Sequence, residues 1–324
     1  MIGRKSDGMS DLIDLKSHSV NTVLNLLLKD RTTEKNIIFA TDVYDNMDFT
    51  TEITKKLLLS DSLDVRPRVL KSLEEQAQRT RKKAEVFTPA WICNKMNNYC
   101  DTEWFGRENV FNTEQEHDWI PTAEKIAFPK GKTWKDYVNS KRLEITCGEA
   151  PYLVSRYDAA TGETIPIEKR IGILDRKLRI INENVKTRKT WNQWVYRAFE
   201  SVYGYEFQGD NLLIARINLL ETFCEYTRDR WNVEPTDSEL KRIANIISWN
   251  LWQMDGIHGV IPYTGAVCEQ KEEEESHQMT MFEFMGMESE QEPEEVKSLP
   301  ETIDCKIYDW CDNKIITYKS MREG

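Results

Sequence analysis

Three positions in the 324-residue chain carry side chains that together could hold a nucleoside. A short β-like run, Leu143 to Thr146, feeds Cys147-Gly148-Glu149. A second, Tyr203 to Phe207, contains Glu206. A third, Trp249 to Met254, ends at Asp255-Gly256. In open α/β sheets, ligands bind beyond the carboxyl ends of the strands. A glycine there lets the backbone come close to a ligand. A carboxylate at the second strand end can accept both ribose hydroxyls, and one at the third can accept from an adenine amino group. Each feature alone is weak, because a glycine after a strand is most often just a turn. Their order and spacing point to the nucleoside.

The elements that must position these residues read as strands alternating with helices, which indicates an α/β sheet. Residues 1–60 read as helical, with apolar stretches at Val20–Leu28 and Thr51–Leu59, and residues 61–83 as a basic helix. Ala84 to Pro89 breaks the pattern. A helix resumes over Ala90–Tyr99, and residues 101–140 read as irregular surface structure. Leu174, Leu178, Ile181 and Val185 form one helical stripe. Asp210 caps a helix through Leu220. Thr236 and Glu239 make a capping-box pattern ahead of Leu240, Ile243 and Ile247. Cys305–Trp310 and Lys314–Tyr318 are β-like runs around a turn at Asp312-Asn313. The organisation is thus an N-terminal helical region (1–83), an α/β core (84–268) with an insertion near 158–200, an acidic disordered segment (269–300) and a C-terminal hairpin completing the core (301–324).

Apolar residues make up 40% of the chain and charged residues 31%, as in a water-soluble globular protein. No apolar run approaches the roughly 18 residues of a membrane span. Met1 to Leu15 is polar and charged, so no signal peptide is expected. Seven cysteines, none spaced C-x-x-C, and four histidines argue against a zinc site and a disulfide scaffold, and for a reducing cytoplasm. P-loop, G-x-S-x-G and H-E-x-x-H motifs are absent. The net charge of −11 is concentrated: residues 269–296 hold eleven Glu and one Lys, so the remainder carries −1. Within it, Arg66–Lys83 has seven basic residues against two Glu, and Lys169–Lys189 has eight against two acids. Such stretches suit a phosphate-binding face, with Arg66, Arg68, Arg79, Arg81, Lys82 and Lys83 as the contacts. Solvated helix faces are the alternative.

Across roughly residues 70–257 the chain resembles the amino-methylating DNA methyltransferases, in particular the modification subunits of restriction systems. Ala84-Glu85-Val86-Phe87-Thr88-Pro89 resembles their Gly-Gln-Phe-Tyr-Thr-Pro motif. Leu143 through Leu153 aligns without gaps on their cofactor loop, Leu-Asp-Pro-Ala-Cys-Gly-Ser-Gly-Ala-Phe-Leu: Glu144 takes the acidic place, Cys147 and Gly148 are retained, and Tyr152 replaces Phe. Tyr203-Gly204-Tyr205-Glu206 is similar to the strand whose terminal acid holds the ribose, with Ala215 and Asn218 in the helix that follows. Asn250–Asp255 is similar to the third element, whose acid faces the adenine. The resemblance implies a Rossmann-like sheet and S-adenosylmethionine as cofactor, held by Phe87, Thr88, Pro89, Glu144, Cys147, Gly148, Glu206 and Asp255. It also implies methyl transfer to an extruded adenine of DNA, with a restriction or specificity subunit as partner.

The chain departs from that pattern in three places. Ala150 stands where family loops have a second glycine. Gly148 and Glu206 are 58 residues apart, longer than one ordinary crossover. The Asn/Asp/Ser-Pro-Pro-aromatic motif, which grips the target amine and stacks on its base, is missing. Asp309-Trp310, an acceptor beside an aromatic after a strand, is the preferred substitute, against a turn Asp beside a packing Trp. Pro262-Tyr263 keeps the last half of the motif, with Val260 at the acceptor position. These departures keep open a second reading: a non-catalytic, methyltransferase-like DNA-binding or scaffold subunit.

Inside the acidic segment, Gln278-Met279-Thr280-Met281-Phe282 resembles the pentapeptide by which many bacterial proteins dock on the DNA sliding clamp. Gln278, Met281 and Phe282 would be its anchors. A disordered tether presenting apolar anchors and an amide to a pocket is a common binding mode. The alternative is a short helix packing its Met and Phe on the parent domain.

Overall fold

The computed structural model describes residues 12–41, 44, 47–60, 63, 65–83, 88–264 and 301–322. Phe87 lies outside them, as do residues 269–300 with Gln278, Met281 and Phe282, and so do the side chains of Lys82 and Lys83.

The helices begin and end where local chemistry dictates. The first, α1 (His18–Leu28), starts at Ser17, whose side chain accepts from the Val20 N–H. It buries Val20, Val23, Leu24 and Leu27, spaced i, i+3, i+4, i+7. Next come α2 (Lys55–Leu58) and the basic α3 (Leu73–Lys83). α4 (Ala90–Phe105) follows Pro89 and ends on Gly106, whose φ of +68° needs no side chain. It runs past Tyr99, because Asp101 and Phe105 find buried places. The stretch expected to be irregular then contains an antiparallel pair, β1 (Asn112–Gln115) with β2 (Asp118–Pro121), and a helix, α5 (Trp134–Asn139).

A parallel sheet follows. β3 (Arg142–Ile145) is connected through α6 (Ile173–Asn184) and α7 (Arg188–Glu200) to β4 (Val202–Glu206). β4 leads through α8 (Gly209–Trp231) and α9 (Asp237–Asn250) to β5 (Leu251–Gln253). The strand order is β3-β4-β5, with Leu143 opposite Tyr203 and Tyr205 opposite Trp252. Thr236 and Glu239 form the expected capping box at the start of α9. Of the three strands of this sheet, β3 and β4 are shifted by one residue from the sequence reading and β5 is shorter, since Trp249 and Asn250 belong to α9. A C-terminal hairpin, β6 (Lys306–Asp309) with β7 (Lys314–Thr317), and a last helix, α10 (Tyr318–Arg322), close the described chain.

Because strand side chains alternate, the sheet has two distinct faces. Val202 and Leu251 join the main core formed by α1 and α6–α9. Tyr203, Tyr205 and Trp252 form a smaller core with Cys305, Ile307 and Tyr318 of the C-terminal unit. The molecule is therefore mixed α/β, with helices on one side of the sheet and a hairpin on the other. No helix among the described residues is long and apolar enough to cross a membrane.

Buried charge joins distant elements. Asp210, in the first turn of α8, is fully buried and accepts from the Arg79 guanidinium and from the Tyr44 hydroxyl (2.8 Å), with Lys71 Nζ at 3.5 Å. Gln208, not Asp210, occupies the N-cap position. Burial opposes ionisation of Asp210, but Lys71 and Arg79 outweigh it and hold the carboxyl below its ordinary value. Removing one member of such a cluster strands the others without a counter-charge. Asp210→Ala should therefore cost about 3–5 kcal/mol of folding free energy, measured as a shifted urea midpoint at unchanged slope. A cost under about 1 kcal/mol, the level of a surface pair, would show that the cluster does not hold α3 to α8.

Candidate cofactor site

The loop after β3 is built by two carboxylates. Cys147 N–H donates to Tyr205 O (2.8 Å), which carries the chain across β4. Gly204 makes this crossing possible, since a Cβ there would lie 3.1 Å from Cys147 Cβ. Gly148, at φ +51°, then donates its N–H to Glu206 Oε2 (2.9 Å), while Gln208 N–H reaches Oε1 (3.2 Å). Further along, Tyr152 N–H and Leu153 N–H donate to the Glu144 carboxylate (3.3 and 3.1 Å). Ala150, in place of the second glycine, is fully buried at φ +65°, a conformation that costs a non-glycine residue about 1–2 kcal/mol. Burial pushes the Glu206 carboxyl up to about 7 and the Glu144 carboxyl up to about 8. The Cys147 thiol is likewise raised, chiefly by burial.

Thr88 and Pro89 come to the same place. The Thr88 side chain hydrogen-bonds Tyr152 in the loop, and Cys93 Sγ donates to Thr88 O at 3.7 Å. Asp158 accepts from the Ala90 N–H (2.8 Å) and so fixes the start of α4 against the core. Asn218 of α8 donates to Glu149 O (3.0 Å), and the Glu149 carboxylate accepts from Arg68 N–H (2.7 Å) and the Tyr157 hydroxyl (2.5 Å). Thr88, Pro89, Glu144, Cys147, Gly148 and Glu206 thus converge at the carboxyl ends of β3 and β4.

Asp255 is next to them but differently engaged. Met254 N–H donates to Glu206 O (3.0 Å), which sets the end of β5 beside the end of β4. The Asp255 Oδ1 accepts from Ile257 N–H and His258 N–H (2.9 and 3.2 Å), and Oδ2 lies 3.0 Å from His258 Nδ1. Both oxygens serve the turn that follows the strand. His258 was invisible to motif reasoning; its only signal is the Asp-x-x-His spacing.

Asp309 and Trp310 sit at the wrong end of the sheet to act as amine acceptor and stacking ring. Asp309 lies 3.5 Å from Lys141 Nζ and caps its own turn through Cys311 N–H (2.9 Å), and Trp310 Nε1 donates to Asn250 Oδ1 (2.7 Å). Lys141 precedes β3 and Asn250 precedes β5, so both contacts mark the amino ends of the parallel strands. Gly148 and Glu206 mark the carboxyl ends, about 13 Å away along a four-residue strand. Pro262-Tyr263 lies on the correct side: the Tyr263 ring packs on Phe207, directly after Glu206, with centroids 5.6 Å apart.

The basic stretches are divided between interior and surface. Arg79 is completely buried on Asp210, so it offers no phosphate contact. Arg68 donates to Gln76 O and Thr80 Oγ1 on α3, and Arg66 lies 3.5 Å from Glu75. Arg81 is exposed. In the second stretch, Arg176 pairs with buried Asp101 (2.5 Å), and Lys177, fully buried, donates to Val138 O, Ser140 O and Ser201 Oγ.

No protein family, curated protein or solved structure matches this chain.

The raised acid at the centre of the site gives a pH signature. Glu206 ionises near 4.5 when unfolded and near 7 when folded. Its folded pKa is raised, so its contribution is most favourable below about 4.5 and declines as pH rises to about 7. Glu206→Gln removes that decline. The stability of the variant relative to the natural chain should rise with pH through this window, followed by urea titration at successive pH values. A difference that is flat with pH would overturn the raised value.

Proposed function

We propose that the chain is a Rossmann-like, S-adenosylmethionine-binding subunit of the DNA-adenine methyltransferase type, serving a restriction-modification system. The observation that carries this reading is the Gly148 N–H to Glu206 bond, which joins the glycine loop of one strand to the terminal acid of the next. The match to the cofactor is unequal. On the ribose side, Glu206 accepts one main-chain N–H per oxygen and keeps lone pairs for hydroxyl donors, and the positive φ of Gly148 brings the backbone close. On the adenine side, Asp255 would have to leave its own turn, so no adenine contact is assigned to it. Thr88 and Tyr152 border the loop on the side of α4 and would face the methionine end.

When bound, the cofactor supplies a sulfonium methyl group. The chain's own part is to bind the ribose through Glu206, to exclude water with the Glu144-clamped loop, and to offer Tyr263 beside Phe207 as a surface for a flipped base. The chain has no Pro-Pro motif to grip the target amine. That observation favours the second reading, a non-catalytic methyltransferase-like scaffold on DNA, to which the clamp-like pentapeptide would add recruitment.

Calorimetry with S-adenosylmethionine tests the cofactor reading. The full chain should bind; Glu206→Ala should weaken binding at least about ten-fold, the loss of one charge-assisted hydrogen bond of about 1.5–3 kcal/mol. Asp255→Ala should leave the affinity nearly unchanged. Absence of binding, or equal loss in both variants, would count against the site as drawn. Methyl incorporation into mixed-sequence DNA then divides the two readings: incorporation identifies the methyltransferase, and DNA binding without it identifies the scaffold.

A further inference from the structure

β3 is the end strand of the parallel sheet, with β4 on one side and no strand among the described residues on the other. In a parallel ladder alternate residues bond the neighbouring strand. Arg142 N–H donates to Ser201 O (2.9 Å), so Arg142 and Glu144 turn to β4. Leu143 and Ile145 therefore turn their N–H and C=O groups to the open side. Their side chains stand on the hairpin face beside Tyr203 and Tyr205, where Leu143 is 37% exposed and Ile145 65%. Next to them opens a cavity of about 230 Å³ walled by Leu143, Tyr203, Trp252, Ile307, Ile316 and Met321. Exposed strand edges are ordinarily guarded by charge, proline, a bulge or a covering segment. Here the outward positions carry only leucine and isoleucine.

We propose that a second copy of this chain adds to the β3 edge, antiparallel across a twofold axis at Glu144, so that two three-stranded sheets become one. The arrangement is self-complementary, as a twofold interface must be. Leu143 of each copy exchanges both main-chain hydrogen bonds with Ile145 of the other, which satisfies every outward N–H and C=O of the strand. The same pairing sets each exposed Leu143 against an Ile145 on the hairpin face, an apolar cross-strand pair at the rim of the cavity. The charges allow it. Lys141 is already beside Asp309 in its own molecule, and Arg142 falls opposite Thr146 of the second copy. Glu144 meets its counterpart on the axis, but its carboxylate points inward to Tyr152 and Leu153. Outside residues 269–296 the chain carries only −1, so the bodies do not repel strongly. The proposal does not depend on the cofactor reading.

The test is the solution mass of the full chain, by sedimentation equilibrium from low to high micromolar concentration, with hydrogen exchange at Leu143 and Ile145. The expected result is twice the 38.1 kDa chain mass at high concentration, with both amides protected in step with dimerisation. Ile145→Lys and Leu143→Lys, each at an exposed position, should halve that mass and release the amides while leaving the far-ultraviolet spectrum unchanged. A chain of single mass at all concentrations overturns the proposal. If the amides are protected in that single chain, another part of the same molecule covers the edge. Dimers that persist in both variants place the interface elsewhere, and also overturn it.

Discussion

Two carboxylates buried at the carboxyl end of the sheet shape everything around them. Each would be costly to ionise there, by several kcal/mol for an isolated charge, and each is met by a pair of main-chain N–H groups: Tyr152 and Leu153 for Glu144, Gly148 and Gln208 for Glu206. The exchange is mutual. The acids are solvated by the loop, and the loop is held in a conformation it would not otherwise keep, with Gly148 and Ala150 both at positive φ. The strain at Ala150 persists because its neighbours on either side are clamped. The loop is thus held in place by the chain's own groups, which is the preorganisation a binding site needs.

The basic stretches show how a one-dimensional charge pattern misleads. Arg79 and Asp210 are 131 residues apart, and Arg176 and Asp101 are 75 apart. A run of Lys and Arg in the sequence looks like a surface because its counter-charges are elsewhere in the chain. Here they arrive from α8 and α4 and draw the cations inside. In α6 the interior side is wider than the Leu174–Leu178–Ile181 stripe, because Arg176 and Lys177 are long enough to reach acceptors within the core. Arg81 stays exposed on α3.

Much of the sheet was legible. Short β-like runs marked β3, β4, β6 and β7, and the Thr236–Glu239 spacing marked the start of α9. The glycine loop and Glu206 come together because both stand at the carboxyl ends of neighbouring parallel strands. The ends of the sheet were not legible for Asp309 and Trp310. A hairpin can cross a sheet face in either direction, and its sequence does not say which. The direction was decided by Trp310 reaching Asn250 and Asp309 reaching Lys141, contacts spanning 60 and 168 residues. The β1–β2 hairpin escaped notice for a related reason: three of its first four residues, Thr113 to Gln115, are polar and exposed, so it lacks the alternation that marks a half-buried strand.

The division of labour between the two faces ties the open edge to the site. The C-terminal hairpin covers β4 and β5 on one face of the sheet but stops short of Leu143 and Ile145. The strand that leads into the glycine loop is paired on one edge only among the described residues. Beyond the ladder, Cys147 N–H to Tyr205 O and Gly148 N–H to the Glu206 carboxylate tie its end to β4. Any strand laid along its free side would fix the backbone at Ile145, three residues before Gly148, and with it the direction in which the loop leaves the sheet. Edge and loop share one short piece of chain, so occupancy of one is a mechanical constraint on the other.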